Sequence, residues 1–157
     1  MRMHAPVPLK PATGRFRDGM HEFPVRVYFE DTDLSGLIYH ANYLRYMERA
    51  RSDMLRLAGI DQRGSHDRGD GFYAVNGLTI SYKRPARLDD ELIIVSKVME
   101  IRPASCRIHQ TVMCDGQILT DGEVTVAYLS PGGRPQRQPK AWIDIFTRLQ
   151  KGEDISL

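Results

Sequence analysis

Residues 25–55, VRVYFEDTDLSGLIYHANYLRYMERARSDML, change their period once, and that change decides the fold. Up to Glu30 the apolar residues alternate. Phe23, Val25, Val27 and Phe29 are interleaved with Pro24, Arg26, Tyr28 and Glu30, the two-residue period of a strand. Pro24 places the start of that strand at a sheet edge, because proline donates no ladder hydrogen bond. Asp31 to Gly36 reads as a turn or loop. From Tyr43 the period lengthens. Tyr43, Met47, Ala50, Met54 and Leu57 recur at spacings of three and four, flanked by Leu44, Leu55 and Ala58. Asn42 is the expected N-cap and Gly59 the expected stop of this helix of about sixteen residues.

Downstream, alternation returns at about 73–83, 91–101, 105–114 and 117–129. The separators contain Pro85, Asp89-Asp90, Arg102-Pro103 and Asp115-Gly116, and Asp-Gly between two strands is a strong hairpin signal. Residues 61–71 and 131–139 read as loops, and a short amphipathic helix with Trp142, Ile145, Phe146 and Leu149 closes the pattern. Residues 1–21 carry prolines, glycines and charges without period and read as a flexible extension. The expected organisation is an extension over 1–21, one domain over 22–150 and a tail over 151–157. The expected class is α+β, a five-stranded antiparallel sheet wrapped around one long helix. The sheet's other face then needs cover, which a second copy of the chain would supply.

Composition narrows the function. At 157 residues with 41% hydrophobic and 27% charged, the chain suits one ordinary globular domain. Twenty-two Lys and Arg against twenty Asp and Glu leave a charge of +2, too even for general attraction to nucleic acid. No apolar run reaches membrane-spanning length, and the N-terminus lacks the apolar core of a secretory signal, so a cytoplasmic location is expected. Cys106 and Cys114 fall in one strand, roughly 26 Å apart, too far for a bridge.

The chemistry concentrates where the first strand meets the helix. Unpaired amides at a helix start stabilise a developing oxyanion, and a carboxylate on the preceding loop can act as base or nucleophile. His40 adds a group that moves a proton near neutrality. Each residue also has a plainer role: Asp31 and Asp33 as turn formers, His40 as a structural histidine, Gly36 as a turn glycine. Glu48 and Arg51 lie beside the apolar stripe, as a local ion pair or as supports for the site. No Gly-x-Ser-x-Gly elbow, HExxH motif or phosphate-binding glycine loop is present.

Tyr28, Glu30-Asp31-Thr32-Asp33, Gly36, Tyr39-His40, Asn42-Tyr43, Glu48 and Arg51 together closely resemble the opening of hotdog-fold acyl-CoA thioesterases of the 4-hydroxybenzoyl-CoA thioesterase family. The nearest branch looks like the Tol-Pal-associated YbgC type. Ser81-Tyr82, Pro85-Ala86 and Leu88-Asp89-Asp90 are also similar to that family, and the resemblance spans about residues 23–130.

The resemblance implies a hotdog fold, dimers that pair into tetramers, and active sites at subunit interfaces. It matches Asp33 to the catalytic aspartate, and the helix start beside Tyr39 and His40 to the oxyanion site. Asn42, Glu48 and Arg51 would support them. Gly36 would let backbone approach the substrate. Arg102, Arg134, Arg137 and Lys140 are candidate contacts for the phosphates of coenzyme A. No cofactor or metal is expected. Two other readings stay open: a binding protein for acyl groups without turnover, and a thioesterase for acyl groups on acyl carrier protein.

Overall fold

The computed structural model describes residues 3–155. A six-stranded antiparallel sheet curls around α1 (Asn42–Leu57). Its strands are β1 (Arg15–Arg17), β2 (Met20–Arg26), β3 (Phe72–Tyr82), β4 (Glu91–Arg102), β5 (Ser105–Cys114) and β6 (Gln117–Leu129), in spatial order β1-β2-β4-β5-β6-β3. Two further helices, α2 (Gln62–Asp67) and α3 (Lys140–Gln150), complete the chain.

The sheet has one strand more than expected. Residues 15–21 do not belong to a loose extension: they form β1 and the start of β2. Asp18 and Gly19 both take positive φ at the turn, 54° and 77°, as Asp115 and Gly116 do between β5 and β6. A right-twisted hairpin needs this left-handed pair, and Asp-Gly supplies it at both places. Residues 151–155 of the expected tail are held in place as well. Asp154 accepts from the Gly19 amide at 2.9 Å, and Ile155 packs against the core. Residues 61–71, expected as loop, contain α2, whose Asp61 side chain accepts from the Gly64 amide at 3.0 Å.

The core lies between α1 and the concave face of the sheet. Tyr43, Tyr46, Met47, Ala50 and Met54 pack on Val27, Leu92, Ile94, Val98, Val112 and Val124, all buried. Residue alternation puts one face of each strand toward the helix. Bulges between Val75 and Gly77 and between Val98 and Glu100 bend the sheet round it. Gly122 marks a close approach of β6 to the helix: a Cβ there would stand 3.0 Å from the Thr79 carbonyl oxygen and 3.3 Å from Met47 Cε. Pro24 lies in β2 beyond the three residues that β1 covers, so its missing N–H faces an open edge.

The buried arc of α1 is wider than the apolar stripe. It includes Arg51 and Asp53. Asp53 is covered by the hairpin of β1 and β2. It accepts from Thr13 Oγ1 at 3.0 Å and from the Gly14 amide at 2.9 Å, and it pairs with the fully buried His21 Nε2 at 2.7 Å.

Candidate active site

The loop from Tyr28 to Ala41 is held by Asp31, which is buried. Its carboxylate accepts from the Tyr28 amide at 2.9 Å and from Asn42 Nδ2 at 3.0 Å, and its carbonyl accepts from the Tyr39 amide at 2.9 Å. Asp31 is therefore a structural tie. Asn42 is not the N-cap as expected. It is the first helical residue, after Ala41, and its side chain reaches back to the loop. Burial, and then the Asp31 carboxylate beside it, push the Tyr46 hydroxyl well above its ordinary range.

Between these ties the chain folds back on itself. Thr32 bridges Ile38, the Asp33 amide donates to the Leu37 carbonyl at 3.0 Å, and the Gly36 amide donates to the Asp33 carbonyl at 3.0 Å. Gly36 has φ +82°, and nothing lies within 4 Å of where its Cβ would be. It is needed for the turn, and no close contact within the chain accounts for it.

Asp33 stands exposed at the head of this turn. One carboxylate oxygen, Oδ1, accepts from the Ser35 amide at 2.8 Å and the Ser35 hydroxyl at 2.5 Å. The other, Oδ2, has no partner among the described residues. The Ser35 hydroxyl foremost, then its amide, and then the nearby His40 hold the Asp33 carboxyl below the usual carboxylate range. Asp33 is thus ionised with one oxygen free. In the single chain it borders none of the main cavities.

The helix start lies at the end of the same loop. The Tyr39 amide is occupied by the Asp31 carbonyl and is not free to bind a ligand oxygen. The amides of His40 and Ala41 donate to nothing among the described residues, and they lie at the positive end of α1. The His40 ring is exposed between Tyr39, with centroids 4.6 Å apart, and Tyr82, at 6.3 Å. The Tyr82 hydroxyl donates to the His40 carbonyl at 2.9 Å, which fixes the backbone there. Sequence reasoning did not single out Tyr82 for this role. Its place in the Ser81-Tyr82 pair gave a resemblance but no sign of a contact with His40.

An apolar groove follows α1 under β3, past Leu44, Met47, Leu78 and Val124. It ends at Glu48 and Arg51, beyond which a second, more enclosed cavity opens, lined by Leu55, Tyr73, Val98, Cys106 and Phe146. Arg51 is buried and pairs with the exposed Glu48. Its Nη1 donates to Gln110 Oε1 at 2.9 Å, and Gln110 Nε2 donates to the Met47 carbonyl at 3.0 Å and to Ser96 Oγ at 2.9 Å. Burial lowers the Arg51 pKa, and Glu48 opposes this. The pair is a fixed partition between the two cavities.

The expected phosphate contacts are not brought to this site. Arg102 ends β4, and Arg134, Arg137 and Lys140 follow β6, all beside the Phe72 end of β3. Asp33 and His40 lie beside the Tyr82 end. Ten residue steps along β3 put the two groups roughly 30 Å apart in one chain. Arg102 is also occupied, donating to Glu100 at 2.8 Å. Among the described residues no cluster of His, Cys, Asp or Glu could hold a metal ion, and no helix is long and apolar enough to cross a membrane.

A family model described as Thioesterase-like superfamily matches residues 27–145. The chain is 37% identical over 134 residues to the acyl-CoA thioesterase YbgC of Haemophilus influenzae, covering 85% of this chain and 98% of that one. Among solved structures, a probable thioesterase from Bartonella henselae superposes with a TM-score of 0.73 at 32% identity, covering 76% of this chain and 99% of that one. A Thermus thermophilus thioesterase solved with coenzyme A and zinc gives a TM-score of 0.71 at 26% identity, covering 82% and 92%.

Proposed function

This chain belongs to the thioesterase-like superfamily, and we propose that it is an acyl-CoA thioesterase in which Asp33 carries the chemistry. The thioester carbonyl sits at the start of α1, where the amides of His40 and Ala41 receive the oxyanion. Asp33 Oδ2 attacks the carbonyl carbon, the C–S bond breaks, and coenzyme A leaves as thiolate. Water then hydrolyses the mixed anhydride, releasing the acid and restoring the carboxylate. Activation of water by Asp33 gives the same products. The lowered pKa of Asp33 keeps the carboxylate ionised, as both routes require. His40 protonates the departing sulfur, its ring lying at a tilt against Tyr39.

The acyl group extends along the groove by Leu44 and Leu78, with Glu48 and Arg51 as its floor. An ionised carboxylate with one free oxygen, on the loop that ends in unpaired helix-start amides, is the observation that supports this reading.

The free edge of β3 supports a dimer. Eleven residues long, it pairs on one side with β6 and exposes Val75 and Leu78. Such an edge is a template for a second copy, and two-fold symmetry makes the pairing antiparallel. The partner's Phe72 end would then lie by this chain's Tyr82 end, closing over Asp33. A dimer of such dimers is the further assembly. Two free thiols fit the reducing cytoplasm.

The test is a panel of acyl-CoAs and acyl-carrier-protein thioesters with a free-thiol readout, comparing wild type with Asp33→Asn. A fall in kcat of about 10²–10⁴-fold is expected on acyl-CoA. Binding without turnover by the wild type would make this an acyl-binding protein, and faster turnover of the carrier-protein esters would change the substrate.

A further inference from the structure

Two peptide units carry the free amides at the start of α1, and each is held at its carbonyl end. In the unit from Tyr39 to His40, the Tyr39 carbonyl accepts from the Asn42 amide at 2.8 Å. In the unit from His40 to Ala41, the carbonyl has no backbone donor among the described residues. Its partner is the Tyr82 hydroxyl, at 2.9 Å. The first tie is a turn between near neighbours. The second comes from the last residue of β3, 42 positions along the chain.

Tyr82 is itself fixed. Its backbone pairs with Thr120 of β6, and the next two amides, of Lys83 and Arg84, both donate to the Leu119 carbonyl, at 2.8 and 3.1 Å. Its ring meets the Tyr43 ring edge to face, with centroids 5.7 Å apart, and the His40 ring at 6.3 Å. Partial burial raises the Tyr82 pKa, so the hydroxyl keeps its proton and donates throughout the neutral range.

We propose that Tyr82 is a positioning residue for thioester hydrolysis: by holding the His40 carbonyl, its hydroxyl aims the Ala41 amide at the substrate's carbonyl oxygen. The role rests on the acyl-CoA reading above and adds to it a residue from outside the acidic loop.

The carbonyl and the N–H of a trans peptide share one plane and point in opposite directions. Fixing the His40 oxygen therefore fixes the direction of the Ala41 N–H. Without the hydroxyl, neither end of that peptide unit has a partner, and the plane is free to tilt. A hydrogen bond to the carbonyl also polarises the unit and strengthens its N–H as a donor. Both effects are largest where negative charge gathers on the substrate oxygen, so loss of the hydroxyl acts on kcat rather than on KM. The two ties lie within one chain and are complete without a second copy.

Tyr82→Phe removes the hydroxyl and keeps the ring. On acyl-CoA its kcat should fall by about 10- to 100-fold, less than the roughly 10²–10³-fold for deleting such a donor outright, with KM within about twofold of wild type. The acid limb of the pH profile should stay in place, because Ser35 and His40, not Tyr82, set the Asp33 carboxyl. A kcat within about twofold of wild type overturns the proposal, as does a change confined to KM or a limb that moves. A second measurement needs no turnover. The probe is a ketone analogue of acyl-CoA with methylene in place of the thioester sulfur and an isotope-labelled carbonyl, read by difference infrared spectroscopy. Wild type should lower the carbonyl stretch below its value in water, and Tyr82→Phe should return it part of the way. Equal frequencies in the two proteins overturn the role of Tyr82, and so does a wild type that lowers nothing. If the wild type hydrolyses no acyl-CoA, the acyl-CoA reading fails and the infrared comparison alone decides on Tyr82.

Discussion

Replacing Asp53 by Ala tests whether the hairpin of β1 and β2 is fastened to the central helix by one carboxylate. Asp53 is 4% exposed and holds three donors: Thr13 Oγ1, the Gly14 amide and His21 Nε2. His21 is fully buried, and its Nδ1 already lacks a partner. Removing the carboxylate leaves the other ring nitrogen unpaired as well, a penalty of about 1–3 kcal/mol. The bonds from Thr13 and Gly14 are part-buried, so water recovers some of their roughly 1 kcal/mol each. The total is about 3 kcal/mol, at the lower end of the range for breaking a buried pair. For a domain of this size that lowers the melting temperature by roughly 6–12 °C.

The loss should be local before it is global. Arg15 and Arg17 lie in β1, so trypsin reaches them only when that strand unpairs. Urea unfolding at one protein concentration, with trypsin cleavage rates alongside, measures both effects. Asp53→Asn, which keeps an acceptor for Gly14, should fall between wild type and Asp53→Ala. A stability change under about 0.5 kcal/mol with unchanged cleavage would refute the reasoning.

The same pair makes stability depend on pH. Burial foremost, against the hydrogen bond and charge of Asp53 and the charge of Glu22, lowers the His21 pKa from its ordinary 6.5. The unfolded chain therefore takes up the proton first, so stability present above pH 6.5 drains as pH falls below that value and levels off under the folded pKa. His21→Leu should flatten denaturation midpoints in that window; an unchanged slope argues against His21 as the source. Ser35→Ala removes the group that most lowers the Asp33 pKa, so the acid limb of kcat/KM should move to higher pH. A limb that stays in place would show that Asp33 is not the titrating group. Val75→Lys on the free edge of β3 should yield a species of half the mass by sedimentation, and retention of the wild-type mass would place the interface elsewhere.

Much of the architecture is local and therefore legible in the chain. Strand β5 begins and ends, and β6 begins, where alternation meets Arg102-Pro103 and Asp115-Gly116, because those residues make turns whatever surrounds them. The helix over Asn42–Leu57 follows from its apolar spacing, and the order of elements leaves one economical way to bury both helix and sheet. The acidic loop before the helix drew attention to Asp33 for the same reason: loop and helix start are adjacent in sequence. The first hairpin was legible in principle, since Asp18-Gly19 is the same dipeptide as at 115–116. It was obscured by three-residue β1, too short to show a period.

Three things needed the tertiary structure. Asp53 looks like a solvent-facing residue on the helix until β1 and β2 cover it, and charge burial depends on what packs over a side chain, not on its own spacing. Tyr82 reaches the His40 carbonyl across 42 residues of chain. Arg102, Arg137 and Lys140 lie at the opposite end of β3 from Asp33 and His40. Sequence patterns record which face of a strand or helix is apolar, a property set by the nearest few residues. Which end of the sheet a charge occupies depends on strand pairings between residues far apart in the chain, and only folding brings those together.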